Sequence, residues 1–188
     1  MNVAFGFNAH SGWAALVVVG RRGREYVLSG RRRVELVDEP WAKQPYHAAE
    51  GLATEEARST VDRGIEAGRR IALTEMRAAV ALERSRGNTV RACAVLVGSP
   101  MPDWTTDEIL AVHFRMHKAE GVLFRDVLLR ASRACRLRTV EVPLASLPKH
   151  ARLTKQVTAL GKIAGPPWGK DQKDAALAAL AALEGTAS

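Results

Sequence analysis

The chain has 188 residues, enough for one well-buried core and too few for two ordinary domains, so we expect a single domain over residues 1–188. Apolar residues make up 47% of the chain, which argues against intrinsic disorder. The longest apolar stretches, 14–19 and 175–183, are much shorter than the ~20 residues that span a bilayer, and the N-terminus does not resemble a signal peptide. We therefore expect a soluble cytoplasmic protein with no membrane partner. Two cysteines on apolar segments without metal-like spacing, Cys93 and Cys135, fit a reducing compartment.

Positive charge is the first indication of function. The net charge is +8 and the isoelectric point is near 10.1, which favours polyanionic partners such as DNA or RNA, because lysine and arginine neutralise phosphates. An ordinary solvated surface is the alternative, since charged residues are mostly exposed. The arginines that we assign to nucleic-acid binding form two clusters, Arg21, Arg22 and Arg24 in one and Arg31, Arg32 and Arg33 in the other.

The first part of the chain predicts strands. Residues 3–19 are apolar on both sides of Asn8-Ala-His-Ser-Gly12, which indicates two strands joined by a tight turn or one strand with a bulge. Two further β-rich runs, 25–28 and 33–37, lie on either side of Ser29-Gly30, where we expect a bend or hairpin. We therefore predict an antiparallel meander of about three strands that ends at residue 37.

Helices and strands alternate in the rest of the chain. Residues 38–51 are predicted as an ordered loop, and Thr54 as the N-cap of a long helix that ends at Gly87. A strand is predicted over 90–97. A capping box at Thr105–Glu108 opens a helical region that extends to about residue 136, with a break or kink at Gly121. The remaining predictions are a strand at 137–142, a helix at 151–163, a loop at 165–169 and a last helix at 171–183.

This order is that of the ribonuclease-H-like fold, although several unrelated α/β folds share it. Short motifs narrow the choice. Phe5-Gly-Phe-Asn-Ala-His-Ser11 resembles the opening of RuvC-type resolvases, and Ala119-Glu-Gly-Val122 and Asp171-Gln-Lys-Asp174-Ala resemble later RuvC motifs. Val97-Gly-Ser-Pro100 is similar to a turn of the related YqgF-type proteins. The resemblance implies an α/β, ribonuclease-H-like domain with a mixed five-stranded sheet, its first three strands antiparallel, flanked by helices.

The chemistry implied by this resemblance is two-metal hydrolysis of phosphodiesters with Mg²⁺ or Mn²⁺. These hard cations need oxygen ligands, chiefly carboxylates, which would have to converge from the first strand, the fourth strand and the last helix. Asp171 and Asp174 are three residues apart, so both could face one site from the last helix. A helix N-terminus also favours aspartates for capping and dipole reasons, and that alternative stays open.

The sequence departs from the acidic pattern at two places. Asn8 occupies the position of the first-strand aspartate, and it could be a plain turn former. The fourth strand has no glutamate, so the other acids that could be recruited as metal ligands are Asp103 and Glu141. His10 could be a ligand or a general base, or simply a surface histidine.

Three further features complete the candidate site residues. Trp168 could stack on a nucleobase or anchor its loop, and Lys170 next to it could contact phosphate. His113 and His117 have the spacing of a metal pair on a helix, but without the glutamate of a His-Glu-x-x-His motif we do not predict zinc there. The resemblance also implies a possible homodimer. Two functions follow as hypotheses: a metal-dependent DNA or RNA nuclease, or a catalytically inactive member that binds nucleic acid or a protein partner.

Overall fold

A five-stranded mixed sheet is the centre of the molecule. The computed structural model describes residues 1–185, and for residues 148–151 it describes the backbone alone. The strands are β1 (Asn2–His10), β2 (Trp13–Arg22), β3 (Glu25–Glu35), β4 (Thr89–Val97) and β5 (Arg138–Pro143). Their order is β3-β2-β1-β4-β5, with antiparallel β1–β2 and β2–β3 pairs and parallel β1–β4 and β4–β5 pairs. The predicted fold class is confirmed. The bend or hairpin expected at Ser29-Gly30 is wrong, because β3 continues through these residues with only a register shift opposite Val18 and Val19.

A tight turn joins β1 to β2, so the alternative of one bulged strand is wrong. Gly12 has a φ of 81°, in the left-handed region that favours glycine. The carbonyl of Gly12 accepts a hydrogen bond of 2.8 Å from the backbone N–H of Leu36, which follows β3. This bond fixes the turn at the end of the sheet where β1 and β4 both finish.

Helices cover both faces of the sheet. Side chains alternate between the two faces of a strand, so Phe5 and Phe7 pack under one layer while Ala4 and Gly6 face the other. The layer over Phe5 and Phe7 contains the two longest helices, α2 and α4, and the opposite layer contains α5 and α6. The helices are α1 (Pro45–Ala48), α2 (Thr54–Ser85), α3 (Thr106–Leu110), α4 (His113–Ala134), α5 (Thr154–Ala164) and α6 (Lys170–Glu184).

The last helix lies unusually close to the central strand. A Cβ atom on Gly6 of β1 would overlap the carbonyl oxygen of Ala175 and lie 3.0 Å from the Cβ of Ala179. Small side chains make this approach possible on the helix side too, because six alanines of α6 are fully buried. The glycine on β1 therefore sets the distance between the start of α6 and the end of β1.

Three expectations about helices are corrected by the structure. Residues 38–51 contain a 3-10 helix, Pro40–Lys43, and the short helix α1. Ala53 is the N-cap of α2, and Thr54 is already helical, because the carbonyl of Ala53 accepts the first helical hydrogen bond from Ala57. The helix break lies at the extended Val112 and not at Gly121, because the buried face of α4 outweighs the modest helix-weakening effect of one glycine.

Among residues 1–185, none of the helices has the length and apolar character required to cross a bilayer.

Candidate functional site

Three polar side chains meet where β1 ends under the first turn of α6. Asn8 and His10 are two residues apart on β1, so they lie on the same face. The Nδ2 of Asn8 donates a hydrogen bond of 3.2 Å to Oδ1 of Asp171, and Nε2 of His10 lies 3.1 Å from the same oxygen. Asn8 is buried, whereas the other two side chains are about 40% exposed. We call these three residues the Asp171 group.

The position of Asp171 follows from how α6 begins. Gly169 precedes the helix, and its backbone N–H donates a hydrogen bond of 2.8 Å to Oε1 of Gln172. Asp171 is in the first turn, where the helix dipole favours a negative charge. The dipole accounts for an acid at this end of the helix, and the close packing at Gly6 accounts for its contact with Asn8.

Asp174 is engaged differently from Asp171. Its carboxylate forms an ion pair with Lys170, and this hydrogen bond raises the pKa of the lysine. Asp174 lines an open groove of about 560 Å³ between α5 and α6, together with Trp168. The structure therefore brings one of the two predicted aspartates to β1 and directs the other toward a basic neighbour.

The other two predicted metal ligands lie elsewhere. Glu141 of β5 forms a 3.0 Å ion pair with Arg133 of α4, on the face of the sheet opposite α6. Glu141 and Asp103 line an open depression of about 900 Å³ beside α4. Asp126 also lines it, and burial together with the charge of Glu141 raises the pKa of Asp126. On the α6 side, β4 contributes Leu96, which is buried in an apolar cluster.

A stack of three side chains lies beside the Asp171 group. The rings of His10 and Trp13 are nearly parallel, at 16°, with centroids 4.4 Å apart. The guanidinium of Arg33 lies 3.9 Å from the centroid of the Trp13 ring, in cation–π geometry. Arg33 also pairs through its Nε with Glu35, so an arginine, a carboxylate and an aromatic ring lie together at the carboxyl end of β1. We call His10, Trp13 and Arg33 the rim stack.

The remaining basic residues of the prediction are divided among three places. Arg31 donates hydrogen bonds to the carbonyls of residues 164, 166 and 167, and its guanidinium lies over the ring of Trp168. Trp168 also packs against Gly161, so these contacts hold the loop of residues 165–169 in place. Arg32 points to the opposite face, where it pairs with Glu75 at 2.7 Å. Arg21, Arg22 and Arg24 lie at the other end of the sheet, roughly 25 Å from His10, because Arg21 pairs with Asn2 at the start of β1.

Solved structures with a similar fold are known. A structure of Thermus thermophilus RuvC in complex with a Holliday junction substrate aligns with a TM-score of 0.56 and 14% identity, covering 100% of this chain and 99% of RuvC. A second T. thermophilus RuvC structure aligns with a TM-score of 0.52 and 15% identity, covering 99% and 98%. The chain has a RuvC-like ribonuclease-H fold. No protein-family model and no curated protein sequence matches it.

The side chains of this RuvC-like fold do not fit a two-metal magnesium site. Such a site needs several carboxylates, whereas the Asp171 group holds one carboxylate, one amide and one imidazole. The amide of Asn8 donates a hydrogen bond to Asp171 and carries no charge, so it does not replace an aspartate as an anionic ligand. Asp174 is paired with Lys170, and Leu96 occupies the α6 side of β4.

Two residues of interest were missed by reasoning from the sequence. Trp13 follows the tight turn, and His10 precedes it. Two aromatic side chains on either side of a tight turn could have indicated the stacking that the structure shows. His47 lies in the segment predicted as a loop, and the structure places it beside His113 and His117. No spacing rule relates it to those residues, because tertiary packing alone brings α1 to α4.

Proposed function

We propose that the chain binds structured nucleic acid, DNA or RNA, at the carboxyl end of β1 and does not hydrolyse it. The observation that carries this proposal is the rim stack, in which the half-buried Trp13 ring contacts His10 and Arg33 beside a site with one carboxylate. Aromatic planes stack on bases, and arginine and lysine pair with phosphates. The RuvC structure that contains a Holliday junction supports a branched substrate on this fold.

The shortage of carboxylates is the reason for proposing binding without cleavage. Hydrolysis by two hard cations depends on several negative ligands that hold both ions against an in-line displacement. Asn8 supplies no charge, and Asp171 already accepts a hydrogen bond from Asn8 and lies 3.1 Å from Nε2 of His10. We infer that a metal ion at this place is bound too weakly for turnover.

A binding experiment with matched variants tests the proposed interface. We expect the wild-type chain to bind a fluorescent four-way DNA junction at low salt, with affinity that falls as salt is raised. A Trp13→Ala/Arg33→Gln variant should bind about tenfold or more weakly, because base stacking on an aromatic contributes ~1–3 kcal/mol. The control is Arg21→Gln/Arg22→Gln/Arg24→Gln, which removes three charges at the distant end and should weaken binding less. A larger loss in the control, or no wild-type binding, would contradict the proposal.

A second candidate function is a metal-dependent nuclease. It is favoured by one observation, the placement of Asp171 of the last helix over the end of β1. The test is incubation of the chain with branched and linear DNA and RNA in Mg²⁺ or Mn²⁺, with Asp171→Ala as the control. Cleavage by the wild-type chain that the control lacks would establish this second function. Equal, background levels of cleavage are expected from the first proposal.

We also propose that the chain forms a homodimer and lies in the cytoplasm. A homodimer would suit a two-fold-symmetric junction, and light scattering of the purified chain at micromolar concentration checks it. A cytoplasmic location is consistent with the free thiols of Cys93 and Cys135, the first of which is buried.

A further inference from the structure

Three histidines converge on the α2 side of the sheet, away from the Asp171 group. His47 comes from the short helix α1, and His113 and His117 come from the first two turns of α4. One ring nitrogen from each lies within 4.8 Å of the other two, and the ring centroids are 4.5 to 5.0 Å apart. We call these residues the histidine cluster.

The pair on α4 already has the spacing of two ligands of one metal ion. His113 and His117 are four residues apart, so both project from one face of the helix. Their Nε2 atoms are 3.1 Å apart. Two nitrogens bound tetrahedrally to zinc lie about 3.3 Å apart, since each Zn–N bond is about 2.0–2.1 Å.

His47 contributes a nitrogen whose direction is fixed by a buried carboxylate. Its Nδ1 lies 2.7 Å from Oε2 of Glu120, which is only 4% exposed. Glu120 also accepts hydrogen bonds from the backbone N–H of His47, at 3.1 Å, and from the side chain of Gln44, at 3.3 Å. A carboxylate that holds the far nitrogen of a metal-binding histidine is the usual outer-shell arrangement of metal sites.

The other nitrogen of His47 is a buried atom without a partner. Its Nε2 is shielded from solvent and makes no hydrogen bond among the described residues. Leaving a polar atom buried and unsatisfied costs free energy, so native structures rarely tolerate it without a bound group. A metal ion shared with the two histidines of α4 would satisfy this atom.

We propose that the histidine cluster binds one divalent transition metal ion of the zinc class through a nitrogen of each imidazole. Zinc readily binds imidazole nitrogen, whereas magnesium prefers oxygen ligands. His113 and His117 are exposed, so the fourth coordination position faces solvent. Glu50 lies 3.6 Å from Nδ1 of His113, so it adds a negative charge near the cluster. The ion joins α1 to the start of α4.

The test is a zinc titration of the chelator-stripped chain by calorimetry, with Co²⁺ absorption as a second readout. We expect one ion per chain and the visible bands of tetrahedral cobalt. His113→Gln should lower the zinc affinity at least 100-fold and abolish the cobalt bands. Because His113 is exposed, we expect this variant to fold as the wild type does. The matched control His10→Gln removes a histidine from the Asp171 group and should leave both readouts unchanged.

Glu120 is a positioning residue, and it has a separate test. Glu120→Gln should lower zinc affinity about 10- to 100-fold while the cobalt bands keep their tetrahedral character, because the three ligands remain. The proposal is overturned if the wild-type chain does not bind zinc at one ion per chain. It is also overturned if His10→Gln abolishes zinc binding while His113→Gln retains it. Neither outcome bears on the nucleic-acid proposal, because that site is on the opposite side of the sheet.

Discussion

Asn8 and Asp171 are 163 positions apart and share a hydrogen bond at the site where a RuvC-like fold is expected to gather acids. The meeting of these two residues could be anticipated from the resemblance of short motifs at the two ends of the chain. The pairing of Asp174 with Lys170 could not be anticipated in this way. The three-residue spacing of the aspartates on the helix does not show which neighbour will form an ion pair with Asp174. The functional role of both aspartates stays a prediction.

Restoring the carboxylate at position 8 tests the interpretation of this site. In chelator, Asn8→Asp should lower the free energy of unfolding by about 1–3 kcal/mol, because a donated hydrogen bond is replaced by repulsion between two acids. Excess Mn²⁺ should raise the melting temperature of this variant more than that of the wild type. Thermal unfolding with and without Mn²⁺ measures both effects.

Asn8→Ala is the control, because it removes the hydrogen bond without adding a charge. It should show no response to Mn²⁺ beyond that of the wild type. An Asn8→Asp variant as stable as the wild type in chelator, and equally indifferent to Mn²⁺, would show that Asp171 does not face position 8.

A second polar contact joins two elements that the sequence predicts separately. Glu83, near the end of α2, is 1% exposed and accepts hydrogen bonds from Ser29 of β3, Arg86 and Asn88 at 2.7 to 2.9 Å. Glu83→Gln should lower the free energy of unfolding by about 2 kcal/mol, because charge-assisted bonds to a buried acceptor are weakened. Denaturant titration measures the change.

The surface pair of Arg32 and Glu75 provides the comparison for Glu83. Both side chains are about one-third exposed, and such pairs contribute ~0–1 kcal/mol. Glu75→Gln should therefore cost less than Glu83→Gln. Equal effects of the two substitutions would contradict the role given to the buried acid.

At the level of elements, the approach of α6 to β1 requires a glycine at position 6 on the strand side. Gly6→Ala should lower the free energy of unfolding by about 3 kcal/mol, because the added methyl group overlaps the backbone of Ala175 and must push the helix outward. The same shift should weaken the contact between Asn8 and Asp171. Thermal or denaturant unfolding gives the cost.

Gly121 offers a matched substitution in an open position. A Cβ atom there meets nothing within 4 Å, and the residue is inside α4. Gly121→Ala should raise the free energy of unfolding by roughly 0.5–1 kcal/mol, the helix-propensity difference. Stabilisation by Gly6→Ala, or a large loss from Gly121→Ala, would count against the packing described here.

Local signals explain which elements could be predicted. The capping box at Thr105 and Glu108 is present in the structure, because its hydrogen bonds form within four residues. The break at Val112 was not predicted, and neither was the short helix α1, since both depend on how α3, α1 and α4 pack together. The histidine cluster was missed for the same reason.

At the scale of the whole molecule, the mixed sheet and its first three antiparallel strands were predicted from the order of elements together with the resemblance of short motifs. The order alone is shared by several unrelated α/β folds. The distribution of charge was not predictable at this level. The two arginine clusters look equivalent in the sequence, but the register of β2 and β3 separates Arg21–Arg24 from the rim stack by most of the length of β1. We therefore propose nucleic-acid binding only at the end of the sheet that holds the rim stack.

Protection mapping of the chain bound to a four-way DNA junction tests that assignment most directly. Hydroxyl-radical footprinting with peptide mass spectrometry reports which side chains DNA covers, and the junction can be recovered afterwards to check that it is intact. We predict protection of Trp13, Arg33 and Lys170, little change at Arg21–Arg24, and uncut DNA in Mn²⁺. Protection confined to Arg21–Arg24, or metal-dependent cleavage of the recovered junction, would contradict the account.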